Sequence, residues 1–219
     1  FGLRLDSGGI RAAYREMVES NEIVDQIALN CVIQGFLRCG EETAAEDVYQ
    51  RMKDNNVSPH LFVPSTNYAA NKVVNKVLLM FTKIGKQHPD LKSTLEKGVN
   101  LAPGLRTYRH FIEHYGIKVG NLNKVAEFLN EMRATRIPVD ATIFLALFKS
   151  FYVHGGYSGS AWSRTRLDRI LQAMYDTRDE NAKGFKIDTW LVIWALRAVK
   201  KVGTAEDLEL CFQRLQQRW

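Results

Sequence analysis

The stretch Gln26–His60 sets what this 219-residue chain can fold into. Ile27, Leu29, Val32, Ile33, Phe36 and Leu37 recur at the spacing of one helix face. Gly40 is the expected stop, because glycine takes the left-handed conformation common just past a helix C-terminus. A second helix is expected from about Glu41, with Ala44, Ala45, Val48, Tyr49 and Met52 on one side. Asn55, Asn56 and Pro59 close it. Two short helices joined in this way carry an apolar face that neither can cover. The unit therefore needs neighbours, and repetition is the economical source of them.

The marks of the unit recur. Gly40 stands 12 residues before Met52, Gly120 stands 12 before Met132, and Gly203 stands 12 before Leu215. Met17 precedes Met52 by 35 residues, and Tyr14 and Tyr49 each stand three residues before their methionine. Asp25, Asp140 and Asp188 each close a unit just before a new apolar helix. The spacing divides the chain into a partial unit at about 1–25, full units at 26–60, 61–104, 105–140 and 141–188, and a partial unit at 189–219. Two of these are enlarged. About ten extra residues precede the helix that carries Val73, Val77 and Phe81, and the unit 141–188 contains Gly155–Ser160 and a polar extension over 177–183. One residue is inserted before Gly120. The helices of the last unit carry Trp190, Ile193, Trp194, Leu196 and Val199, then Leu208, Phe212 and Leu215, as apolar positions.

This period and these marks resemble the pentatricopeptide repeat family. The likeness is closest in Gln26–His60, where Asn30-Cys31-Val32-Ile33, Gly40, Ala45, Met52 and Pro59 fall where that motif expects them. The tetratricopeptide repeat has a similar period, but its Trp-x-x-Leu-Gly-x-x-Tyr signature is absent. The expected fold is all-α, an α-solenoid of about five helical hairpins with one continuous core. The chain opens at Phe1 rather than Met and its end units are partial, so the expectation is a piece of a longer protein.

The formal net charge of +6 favours a polyanionic partner, since nucleic-acid binding begins with phosphate neutralisation. The three cysteines, Cys31, Cys39 and Cys211, form no Cys-x-x-Cys pair, which argues against zinc and disulfides and suits a reducing compartment. No run of about 18 apolar residues is present to span a membrane.

In the family, one base is read per repeat by a first-helix residue together with the residue that closes the unit. The resemblance implies the pairs Asn30 with His60, Asn75 with Gly104, Arg109 with Asp140, and Leu145 with Asp188; the last unit offers only Ile193. Leu145 and Ile193 cannot hydrogen-bond a base, and His60 and Gly104 depart from the usual closing Asp or Asn. Short or weak sequence readout follows, or binding through phosphates. Arg38, Lys83, Lys118, Lys149, Lys200 and Lys201 are the candidate phosphate contacts, against the plainer reading of a solvated helix face. Arg164, Arg166 and Arg169 beside Trp162 form a second basic cluster, in which the indole either stacks on bases or anchors the loop.

An enzyme is not expected. His110 and His114 are spaced as a helical pair, but the order His-Phe-Ile-Glu-His is not His-Glu-x-x-His and no third ligand is evident. No metal or cofactor is expected. The resemblance implies a mitochondrial matrix RNA-binding protein. Its partner would be a messenger or ribosomal RNA, and its work RNA processing, stability or translation, or a place on the mitochondrial ribosome. The alternative is a scaffold for protein partners that keeps the fold and has lost RNA readout.

Overall fold

The computed structural model describes residues 2–19, 24–54, 101–180 and 185–218. Among these residues the fold is all-α, with no strand. The helices are α1 (Ser7–Glu19), α2 (Gln26–Cys39), α3 (Glu42–Asp54), α4 (Leu105–Glu113), α5 (Leu122–Ala134), α6 (Ala141–His154), α7 (Arg164–Glu180), α8 (Thr189–Val202) and α9 (Ala205–Arg218). Two compact units contain them, Phe1–His110 and Phe111–Trp219.

In the first unit the two helices anticipated within Gln26–His60 form as α2 and α3, while the closing residues Asn55, Asn56 and Pro59 lie outside the described residues. Asp25 is extended and its side chain accepts the Ala28 backbone N–H at 2.7 Å, which starts α2. Gly40 ends α2 at φ 79°, and the Glu41 N–H then reaches the Phe36 carbonyl at 2.9 Å, the bond pattern of a left-handed helix stop. Leu29, Ile33, Phe36 and Leu37 of α2 and Ala45, Val48, Tyr49 and Met52 of α3 are buried. Each large apolar side chain so enclosed contributes about 1.5–3 kcal/mol. The preceding helix, α1, packs on α2 through Ile10, whose Cδ1 would lie 3.1 Å from a Cβ placed on Gly35. A glycine in mid-helix costs stability by itself, and here it admits that isoleucine.

The second unit stacks its first helices on one another. The chain after α4 passes through a π-helical segment, His114–Val119, which packs against α6, and α6 packs against α8. The residue inserted before Gly120 is absorbed in this wide turn. Gly120 closes it at φ 76°, with the Asn121 N–H on the Tyr115 carbonyl at 2.8 Å. Gly116 lies so close to α6 that a Cβ there would fall on the Ser150 hydroxyl. Phe111 and Phe128 stack at 4.7 Å, and Met132, Ile143, Phe148 and Ala195 are sealed from solvent.

The glycine-rich insertion folds back onto the repeat. Trp162 is 1 % exposed, donates from Nε1 to the Gly120 carbonyl at 3.0 Å and meets Phe151 edge to face at 5.0 Å. Thr204 and Asp207 exchange backbone and side-chain bonds at the start of α9 as a capping box. The Thr204 N–H, with its hydroxyl and Arg164, holds the Asp207 carboxyl below the usual carboxylate range.

Two apolar positions anticipated for the last unit are not interior. Trp190 is 62 % exposed and Phe212 is 51 % exposed, because the inward stripes of their helices are taken by Leu191, Ala195, Ala198 and Val199, and by Cys211 and Leu215. The helix expected over Val73–Phe81 lies outside the described residues.

Candidate nucleic-acid interface

Asp140 and Asp188 set the register of the two first helices in the second unit. The Asp140 carboxylate accepts the backbone N–H groups of Thr142 and Ile143 at 3.0 Å and the Thr142 hydroxyl at 2.7 Å. Asp188 accepts the Leu191 N–H at 2.8 Å. From those starts, Ile143, Phe144, Leu147, Phe148 and Phe151 turn inward on α6. The residues left for the opposite side are Leu145, Lys149 and Tyr152, spaced i, i+4, i+7 along one face. On α8 the corresponding outer face carries Trp190, Trp194, Arg197 and Lys201.

The two faces meet around one indole. The Lys149 Nζ lies 5.3 Å from the Trp194 ring centroid and the Arg197 guanidinium 4.8 Å from it. The Tyr152 ring stands edge-on to Trp194, with centroids 5.6 Å apart at 81°. A ring flanked by two cations holds both through its quadrupole, so the two positive charges are gathered at one place rather than spread by their mutual repulsion. Arg197, Lys200, Lys201 and Tyr152 are exposed, and Lys149, Trp194, Leu145 and Ile193 are half-buried.

Acidic residues are unevenly distributed among the helices, although α4, a first helix, ends on Glu113. Neither α6 nor α8 contains an aspartate or glutamate, and the same holds for α2. The second helices carry acids: Glu42, Glu46, Asp47 and Asp54 on α3, Glu127 and Glu131 on α5, and Glu206, Asp207 and Glu209 on α9. A face with cations and no nearby acid on its own helix keeps its field for an outside anion.

The expected base-reading residues have varied fates. Asn30 does not face outward. It is 2 % exposed and its Oδ1 accepts the Thr107 hydroxyl at 2.8 Å, while the Thr107 oxygen accepts the Gly104 N–H at 3.1 Å. The amide expected to meet a base edge is here a bond between hairpins. Asp140 and Asp188 serve as helix caps, and Arg109 is half-buried on α4. His60, Asn75 and Lys83 lie outside the described residues. Of the phosphate candidates, Lys149 belongs to the Trp194 cluster, while Lys200 and Lys201 lie on the same helix as that indole and Arg38 is exposed near the end of α2. Lys118 is exposed in the π-helical segment.

Three members of the second basic cluster are structural fastenings, and Arg169 is exposed. Trp162 anchors the insertion, Arg164 pairs with Asp207, and Arg166 donates to the Ala161 carbonyl. Its indole is therefore not a stacking surface. His114 is buried at 7 % exposure, and among the described residues no group of three or more His, Cys, Asp or Glu is placed to hold a metal. Among them, too, no helix is long and apolar enough to cross a membrane.

Sequence reasoning missed Tyr152, Trp190, Trp194 and Arg197 because tryptophan and tyrosine count as core on hydropathy. The signal that marks them is combined: aromatic residues and cations sharing one face at i, i+4 and i+7 spacing, on helices without an acid. Compared with known families, residues 27–57 match the model described as PPR repeat. No curated protein matches the chain.

Proposed function

We propose that this chain, a pentatricopeptide repeat protein, binds RNA on the outward face shared by α6 and α8. The repeat points to an RNA-binding helical-repeat protein, and such proteins generally act as adaptors rather than enzymes. The observation that carries the assignment of the face is the Lys149–Trp194–Arg197 cluster with Tyr152 at its edge, on two helices without acidic residues. Cations there neutralise phosphates, and the aromatic rings accept bases. The family resemblance supports a mitochondrial matrix protein that acts in RNA processing, stability or translation, or on the mitochondrial ribosome. Crosslinking in isolated mitochondria followed by sequencing of bound RNA separates those roles. One discrete peak on a messenger or precursor means a trans-acting factor, and broad ribosomal RNA crosslinks at ribosome stoichiometry mean a ribosomal role.

The direct test of the binding face is salt dependence. Affinity for a labelled single-stranded RNA should fall linearly on a log–log plot against salt. If Lys149 and Arg197 each contact a phosphate, Lys149→Gln with Arg197→Gln should lower the slope by about 1.4, at roughly 0.7 per contact. An unchanged slope removes this face from the interface.

A scaffold role has its own observation. Leu196, Leu208 and the exposed Phe212 line an open groove between α8 and α9. Exposed apolar residues grouped in this way suit a protein partner. Failure of every RNA to bind, with retention of protein partners, selects this reading.

A further inference from the structure

We infer that the α6/α8 face is a stacking platform that takes unpaired nucleotides without regard to base identity. This rests on the RNA-binding reading and specifies what kind of RNA the face accepts.

Base discrimination requires donors and acceptors aimed at base edges. The outward residues of α6 and α8 supply few. At the position five residues after each capping aspartate stand Leu145 and Ile193, which carry no polar side-chain atom. The amide at the equivalent position of α2, Asn30, is buried and bonded to Thr107. What the face does present is ring surface. Trp190 is 62 % exposed and Tyr152 is 43 % exposed, on either side of Trp194 along the helix pair. Every base has a π-face, so stacking on an indole or phenol ring tolerates any of them.

The cations have a matching arrangement. Lys149 and Arg197 are held over the Trp194 ring, at 5.3 and 4.8 Å from its centroid, so their charges sit beside the aromatic surface. From Trp190 to Arg197 the face extends roughly 10 Å along the axis at 1.5 Å per residue, enough for a base on the ring and its phosphate on the cation. A paired base keeps its faces inside the duplex and cannot reach the indole, so the same geometry selects single strands.

Among the neighbouring acids, Glu209 of α9 lines a groove with Arg197 and Lys200 and offsets part of their charge, whereas two others are engaged elsewhere. Asp188, at the start of α8, has an oxygen on the Leu191 N–H, and Asp207 pairs with Arg164. The positive face on α6 and α8 is thus left with its field uncancelled by either.

The test uses the full chain and fluorescein-labelled 10-mers of U, C and A, with a duplex of the same length, read by anisotropy. The three single strands should bind within about threefold of one another, and the duplex at least tenfold more weakly. Trp190→Ala should weaken all three single strands about tenfold, the loss of one stacked base, and leave the residual duplex binding unchanged. Tyr152→Ala should act in the same direction, which gives an independent reading at a second exposed ring; far-UV circular dichroism checks that both variants keep their helices. A preference above tenfold for one homopolymer overturns base tolerance, while the RNA-binding reading stands. Equal binding of duplex and single strand, with no effect of either variant, overturns the platform and leaves phosphate binding alone. No binding of any RNA removes the RNA-binding reading and this inference with it.

Discussion

The first helix of the Gln26–His60 repeat and the first helices of the second unit are built on one plan and used differently. α2, α6 and α8 each run 14 residues, each starts on an aspartate cap, and none contains an acid. Five residues after the cap, α2 has Asn30, sealed by its bond to Thr107, whereas α6 and α8 have Leu145 and Ile193. Six residues after the cap, α2 exposes Cys31 where α8 carries Trp194. The lesson is that the cap and the inward apolar stripe determine the frame, while the remaining positions are free to be spent on joining hairpins or on outside chemistry. In the first unit a polar residue is spent on joining. In the second, aromatic and basic residues are left outside.

Asn30→Ala gives the largest expected break of this comparison. The substitution leaves the buried Thr107 hydroxyl without its acceptor, at a cost of about 1–3 kcal/mol in urea unfolding. RNA affinity, measured where both proteins are folded, should change little and equally for all sequences. A loss confined to one RNA sequence would instead make Asn30 a base reader. Adding Thr107→Val should recover part of the stability, since removing both partners spares the unmatched polar group.

A similar cost is expected at the π-helical segment, which belongs to the second unit alone. Gly116→Ala puts a methyl group onto the Ser150 hydroxyl and should cost about 1–3 kcal/mol by overpacking. Ser150→Ala removes that hydroxyl, which donates to the Ala146 carbonyl of its own helix at 2.8 Å, and should restore much of the loss. A double-mutant cycle measures the coupling. Strict additivity would show that the close approach is not what demands glycine.

The caps test what the units share. Asp140→Ala removes an acceptor for two backbone N–H groups and a hydroxyl, and should cost about 1–2 kcal/mol. Asp25→Ala and Asp188→Ala each remove an acceptor for one N–H and should cost about 0.5–1 kcal/mol. Equal losses at all three would mean that the extra bonds of Asp140 add nothing.

Much of this frame was legible in the sequence, and for physical reasons. The aspartates before apolar helices, the left-handed stop at Gly40 and the apolar stripes that bury Ile33 and Met52 are local patterns that a one-dimensional reading captures. The extra residue before Gly120 was visible too, but not that a π-helical turn would absorb it, with Gly116 set against the Ser150 side chain of α6. The site was less legible. Asn30 has the right type and place for base contact, and only the fold reveals that Thr107, 77 residues later, takes its oxygen. Trp190 and Trp194 read as core because hydropathy cannot tell an indole turned inward from one held outside by two cations. Lys149 alone of the proposed phosphate contacts falls in that cluster.

The smallest expected effect uses thiol chemistry to compare the outer face of α2 with the interior of the second unit. Cys31 is exposed, while Cys211 is buried beside Tyr175, whose hydroxyl lies 3.9 Å from its sulfur. Burial pushes the Cys211 thiol above its ordinary value, and the thiolate is the reacting form, so at any pH below that value it has less nucleophile as well as less access. Iodoacetamide at pH 8 should therefore modify Cys31 within the native protein and reach Cys211 only as α9 opens or in denaturant, as read by peptide mass spectrometry. Because Cys31 lies on α2, outside the proposed α6/α8 face, its alkylation should leave helix content and RNA affinity unchanged. A loss of affinity on modifying Cys31 would extend the interface to the first unit and erase the contrast between the two. Rapid modification of Cys211 in the native state would instead show that α9 parts from α7 far more readily than its burial allows.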